Sequence, residues 1–359
     1  MIRSLAVSGI ALVTLVGCQG VPPAGSTGAS AAANVDALTV SYWGGVWGDA
    51  YTEAAFDPFA EASGIDVNTV TGAEGGVTIL EGEVEKSEPA YDIIFLSEAE
   101  FATATERGLL AEIDQDSISN WDDLYDLAKD PYGISSEVGS YGLMYNEEEV
   151  DTPPECWSDL LDPEFEGKFS FAPPNPNGEI FGLVIAALAG GASAEDAQEQ
   201  AATLGVETAK ELDENGATFT DFGQALALIQ SGSISVAPIF SQEPNNLASE
   251  GLPVKYVLPC EGGFSIRAWM AMPSNLPAER KAAAEKFMDS VVSVESQEQI
   301  AAGIFSGPAN KQATLSEELD EQISPYGQEE IDQLIQLDWT AVVEQQEQWV
   351  DEWNNALGQ

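Results

Sequence analysis

The sequence predicts an α/β protein built as two lobes. Three observations carry this: short apolar strands alternate with helical stretches, the alternation returns in the second half of the chain, and 44% of the 359 residues are hydrophobic, enough for about two cores of ordinary size. Leu38 to Tyr42 alternates apolar and polar residues, as a strand does. Tyr51, Ala55, Phe59 and Ala62 then recur at spacings of four, four and three, a helical pattern closed by Gly64. A second strand is expected around Ile65 to Thr69 and a more weakly patterned helix near Val77 to Lys86. YDIIFLS, from Tyr91 to Ser97, is the continuous apolar run of a strand buried on both faces, and Glu98 to Leu110 is helical again. In the second half, Lys168 to Ala172, Ile234 to Phe240 and Val254 to Leu258 read as strands, and Gly178 to Ala189 and Phe222 to Gln230 as helices. This order predicts mostly parallel sheets flanked by helices.

Charge narrows the partners. The 61 acidic residues against 12 basic ones give a formal charge of -49, which repels phosphate backbones and excludes nucleic acid as a partner. Disorder is excluded by eight Trp, nine Tyr and fourteen Phe. The acids are spread along the whole chain, as suits a salty surrounding, where the screening length falls to about 3 Å at molar ionic strength.

The N-terminus, MIRSLAVSGIALVTLVGC, carries Arg3 and an apolar run of about twelve residues, the length of an export signal rather than of a membrane span. Leu15-Val16-Gly17-Cys18 resembles the lipobox of exported lipoproteins, which implies cleavage of residues 1–18 before a lipidated Cys18. Residues 19–36, rich in Gly, Ser, Ala and Pro, read as a flexible tether. Cys156 and Cys260 remain, in a compartment that permits a disulfide; two separate buried thiols are the alternative.

Ligands of open parallel sheets meet the carboxyl ends of the strands. Trp43 lies just beyond one such end, Ser97 and Glu98 beyond another, Glu179 shortly after a third and Phe240 at a fourth. SYWGGVWGD places Trp43 and Trp47 around a glycine loop, where rings are available to something outside the chain and glycines let the backbone approach it. The competing readings are that Trp43 caps the core, that Trp47 is core rather than site, and that Glu98 is a solvated acid. Glu179, in the first turn of a helix, would be stabilised there by the helix dipole whatever its role. Arg267 stands out as one of few arginines, set in an apolar strand; it would suit an anionic group, or pair with an internal acid such as Glu261. Asp338 and Trp339 fit either the rim of a cleft or the packing of a C-terminal helix.

LTVSYWGGVWGDAYTEAAFDPFAEASGIDV, PAYDIIFLSEAEFATATERGLLAEID, CWSDLLDPEFEGKFSFAPP and FSGPANK, in this order, resemble segments of the solute-binding proteins of ABC importers, in the branch that includes spermidine and putrescine binders. The resemblance implies the two-lobed type II fold of periplasmic binding proteins, with lobe 1 formed by 37–140 and 268–320 and lobe 2 by 141–267 and 321–359. The chain would cross near Ser140 to Met144 and return near Ser265 to Met272, and the lobes would close on a ligand by a hinge. It also implies roles: Trp43 stacks on an amine, Glu179 holds it, Phe240 is an aromatic wall and Ser97 a small polar contact. Two positions depart from the polyamine pattern, since Ala268 and Pro176 stand where acids are expected.

The function so implied is a monomeric receptor without cofactor or metal, serving a membrane permease and its ATPase. A polyamine is the expected solute, with an anionic or zwitterionic solute, such as an opine-like amino acid derivative, as the alternative. An exported carbohydrate-active enzyme is the remote alternative. The chain has no histidine, which removes serine–histidine triads and histidine metal sites.

Overall fold

Strand β1 (Ala37–Tyr42) opens the fold and leads into helix α1 (Gly45–Tyr51), one turn of π-helix over Thr52–Phe56, and α2 (Asp57–Ser63), which ends on a left-handed Gly64. The computed structural model describes residues 35–72, 75–174 and 181–358. The export signal, Cys18, most of the tether, Pro176 and Glu179 lie outside the described residues. After α2 come β2 (Asp66–Thr71), α3 (Gly76–Val84), β3 (Ile93–Leu96), α4 (Glu98–Glu106), β4 (Lys129–Asp130) and the long β5 (Gly133–Asn146). The second half runs β6 (Ser170–Phe171), α5 (Phe181–Ala189), α6 (Val206–Glu214), β7 (Thr218–Phe219), α7 (Phe222–Gln230), β8 (Val236–Phe240), α8 (Glu243–Ser249) and β9 (Val254–Val257). Strand β10 (Phe264–Ala271) then precedes α9 (Ala278–Val291), α10 (Val294–Ile304), the short α11 (Glu317–Asp320) and α12 (Gly327–Ile331), and α13 (Trp339–Leu357).

The architecture is two α/β halves sharing two crossing strands. Strands β2, β1 and β3 are parallel, as the alternating pattern requires. Beyond them β10 pairs antiparallel with both β3 and β5, and β5 pairs antiparallel with β8 and β9, so the joined sheet is mixed rather than mostly parallel. The antiparallel ladders arise because β5 and β10 run in opposite directions through both halves.

Burial separates the halves. In β3, Ile93 and Phe95 enter one core with Val40, Phe56 and Phe287, while Ile94 and Leu96 enter another with Leu80, Phe101 and Trp269. Both faces are thus covered, as the YDIIFLS run demands. In the second half, Leu143 joins a core with Trp157, Phe171 and the fully apolar α5, and its neighbour Met144 packs with Ala237 and Ile239 on the opposite face. Trp339, Val342, Trp349 and Trp353 attach α13 to that second core.

Two local features position the site. Arg267 pairs with Val138 but Trp269 pairs with Ser135, so Ser136 and Glu137 of β5 both face Ala268, a bulge in the crossing strands. The disulfide Cys156–Cys260 closes a separation of 104 residues beside β10, a loop size for which chain entropy alone gives about 4.7 kcal/mol.

Candidate functional site

A cleft of about 710 Å³ opens where β1, β3, β8 and the crossing strands converge. One wall is aromatic. Trp43, half-buried, meets Trp47 edge-on at 5.2 Å, and Trp47 stacks on Tyr51 at 3.8 Å between ring centroids. Phe95 supports both tryptophans from below. Gly48 serves this local packing: a Cβ there would lie 2.6 Å from the Trp43 carbonyl and 2.8 Å from the Tyr42 ring. Its lack of a side chain therefore lets α1 fold against β1.

The opposite wall comes from the second half. Phe240, at the end of β8, packs edge-on to Tyr141 and Phe222, and Phe181 stacks on Tyr141 at 4.9 Å. Trp339 meets Phe181 edge-on at 5.8 Å and belongs to both the cleft lining and the packing of α13, so the two readings of that residue merge. Its Nε1 is buried without a hydrogen-bond partner among the described residues. Asp338 is the N-cap of α13, accepting from the Ala341 amide at 3.1 Å.

Charged groups lie between these walls. Arg267 Nε donates to Glu98 Oε1 at 2.6 Å, and its Nη1 donates to the Leu127 carbonyl at 2.8 Å. The guanidinium also sits 5.0 Å from the centre of the Trp269 ring. Trp269 Nε1 donates to the other Glu98 oxygen at 2.9 Å. Glu98 is 7% exposed. It is therefore the buried partner of Arg267 and not a solvated acid; burial raises its pKa and the Arg267 charge opposes the rise. Glu261, the acid expected to pair with Arg267, instead accepts from the amides of Trp157 and Ser158. Ser97 is exposed and caps α4, its amide and hydroxyl both donating to Glu100 Oε2. Ala268 lines the floor, and its carbonyl accepts from the Ser136 hydroxyl at 3.2 Å.

The lining residues missed by sequence reasoning include Phe181, Phe222, Glu243 and Glu137. Burial raises the pKa of Glu243, opposed by the Asn246 amide. Glu137 accepts from Trp47 Nε1 at 3.3 Å, while its Oε2 is shut from solvent without a hydrogen-bond partner among the described residues. Burial pushes its pKa up to about 7, weakly opposed by the nearby polar hydrogens of Trp47, Ser306 and Tyr51. An acid in the otherwise small and apolar stretch SSEVG of a crossing strand was the available signal. Of the residues singled out from sequence, Trp43, Trp47, Ser97, Glu98, Phe240 and Arg267 come together in this cleft.

Two α/β halves joined by crossing strands, with a deep aromatic and charged cleft between them, define a solute-binding protein. Residues 54–324 match the bacterial extracellular solute-binding protein family, and the chain belongs to it. Over 127 residues it is 30% identical to a putative 2-aminoethylphosphonate-binding periplasmic protein of Salmonella typhimurium, a match spanning 35% of this chain and 36% of that one. The chain thus matches only about a third of that relative's length. It is 24% identical over 290 residues to a gamma-aminobutyric acid-binding protein of Pseudomonas aeruginosa, 79% of this chain and 80% of that one. The fold is shared with a periplasmic binding protein of Agrobacterium tumefaciens solved with agropinic acid, at a TM-score of 0.69 and 22% identity, covering 91% of this chain and all of that one (100%). These relatives are named as binding proteins.

Proposed function

We propose that this chain is the receptor of an ABC importer, lipid-anchored through Cys18 outside the cell membrane in a salty medium, and that its solute is small and zwitterionic, an amine carrying an acid group. The observation that carries the reading is the cleft itself, in which indole faces and the carboxyls of Glu137 and Glu243 share the lining with the Arg267 guanidinium. The indoles and carboxyls favour an ammonium; the guanidinium favours a carboxylate or phosphonate. Arg267 has five N–H donors, of which the bonds to Glu98 and Leu127 engage Nε and Nη1, so the fork retains capacity for an anion. Relatives named for 2-aminoethylphosphonate and gamma-aminobutyric acid support the same class.

A polyamine has weaker support. The crossing-strand acid that the resemblance expects is the buried Ala268 here, and the nearest cationic group in the lining would repel a second ammonium. The lobes would be 37–140 with 268–320 and 141–267 with 321–359, an assignment favoured for the C-terminus by the packing of α13 on the second core. Capture would shift a pre-existing open and closed equilibrium by hinge motion in β5 and β10.

Thermal unfolding of the full-length chain in detergent and molar potassium chloride tests the solute class. A zwitterion present at about 100 times its dissociation constant should stabilise the fold by about 2.7 kcal/mol. A shift with spermidine and none with 2-aminoethylphosphonate or γ-aminobutyrate would overturn the reading.

A further inference from the structure

Two buried polar atoms in the cleft lining have no partner among the described residues, Glu137 Oε2 and Trp339 Nε1. One is an acceptor and the other a donor. Leaving such groups unmade is costly in a folded protein, and Glu137 could be replaced by an apolar residue if only packing mattered. Its place is also built rather than incidental. The bulge opposite Ala268 sets Glu137 on the cleft side of β5. The flanking hydroxyls fix the bulge: Ser135 donates to the Glu137 carbonyl and Ser136 to that of Ala268, while the Tyr51 hydroxyl bonds Ser136. Trp47, stacked on Tyr51, presents its N–H to the carboxyl.

We propose that Glu137 receives the cationic end of the solute and does so only as the carboxylate, so that its protonation releases the solute. This rests on the zwitterion reading above and deepens it by assigning the ammonium to one atom pair and making capture depend on pH.

The electrostatic surroundings fit this role. The groups that face Glu137 are Trp47 and Tyr51 from the α1 segment and Ser306 from the loop after α10. None of these is a cation. Among the described residues, the other charged groups of the cleft are Glu243 on α8 and the Glu98–Arg267 pair joining α4 to β10, whose guanidinium is engaged by Glu98 through Nε. Glu137 therefore sits where a carboxylate is left uncompensated until a cation arrives, and burial pushes its pKa up to about 7. An ammonium within hydrogen-bond reach would lower that value, and by linkage a protein that takes up a proton there must bind the ammonium less well.

The test uses the ω-amino acids β-alanine, γ-aminobutyrate and 5-aminovalerate, whose own charges are constant between pH 5.5 and 8.5. Affinity of the full-length chain in detergent should be level above about pH 7 and fall by about tenfold per pH unit below it. Glu137→Gln, which removes a buried charge and keeps the shape, should bind at least about tenfold more weakly at pH 8 and show no pH dependence. Without ligand, tryptophan fluorescence should report a transition near pH 7 that the Gln variant lacks, because Trp47 is bonded to the carboxyl. A flat affinity profile, full affinity in the Gln variant, or the same fluorescence titration in both proteins would overturn the inference. Binding of none of the three amino acids at any pH would overturn the zwitterion reading together with it, whereas binding that ignores Glu137 overturns this assignment alone.

Discussion

Glu98 and Glu137 line the same cleft, and the difference between them separates structure from function. Glu98 has a guanidinium on one oxygen and an indole N–H on the other. Glu137 has a longer indole contact on one oxygen, and its other oxygen has no hydrogen-bond partner among the described residues. A buried carboxylate that is paired and doubly hydrogen-bonded ties α4 to β10; one left unsatisfied costs stability and is kept for another reason.

The largest effect should come from breaking the satisfied site. Arg267→Ala strands Glu98 as a buried charge and should cost about 3–5 kcal/mol in urea unfolding, with Glu98→Gln on the same background recovering part of the loss. An unchanged midpoint would mean that the pair is not buried as a unit. The unsatisfied site should respond in the opposite direction. Because Glu137 titrates at about 7 when folded, the native state holds a proton that an unfolded chain releases from its ordinary value of 4.5 upward. Stability therefore falls as pH rises through that window and is lowest above about 7. Glu137→Gln should be more stable than the wild type by up to about 3 kcal/mol at pH 8, with the gain vanishing below about pH 4.5.

Smaller changes sharpen the contrast between the two indole donors. Trp269→Phe removes the N–H to Glu98 and replaces the indole beneath Arg267 by a smaller phenyl ring, and should cost about 2 kcal/mol. Trp47→Phe removes the longer contact to Glu137 and should cost about 1 kcal/mol at pH 8, and less at pH 5, where the carboxyl is protonated. A pH-independent loss for Trp47→Phe, read from denaturation at both pH values, would contradict the assignment of its partner.

The sequence made the strand–helix grammar legible because each element has its own local period. Phe222–Gln230 is the expected helix to the residue, and β3 has both faces buried as YDIIFLS implies. The aromatic residues at strand ends were legible too, since a sheet's topology places those ends together. What the sequence concealed depends on distant pairing. The partner of Arg267 lies 169 residues away, and nothing local distinguishes Glu98 from Glu261 as its acid. The bulge that sets Glu137 in the cleft comes from a register shift between strands more than a hundred residues apart, invisible to any periodicity. In a chain with 61 acids, one more in SSEVG carries little weight until its hydrogen bonds are counted.

On the proposed reading, one cleft holds both ends of a small zwitterion. The most direct measurement is calorimetric titration of the full-length chain, in molar potassium chloride at pH 8, with γ-aminobutyrate, its deaminated counterpart butyrate, its decarboxylated counterpart propylamine, and spermidine. Measurable binding of γ-aminobutyrate is expected, with each one-ended analogue weaker by at least about a hundredfold, because butyrate leaves the Glu137 carboxylate without a cation and propylamine leaves the remaining donors of Arg267 without an anion. Spermidine or butyrate binding as tightly as γ-aminobutyrate would contradict it.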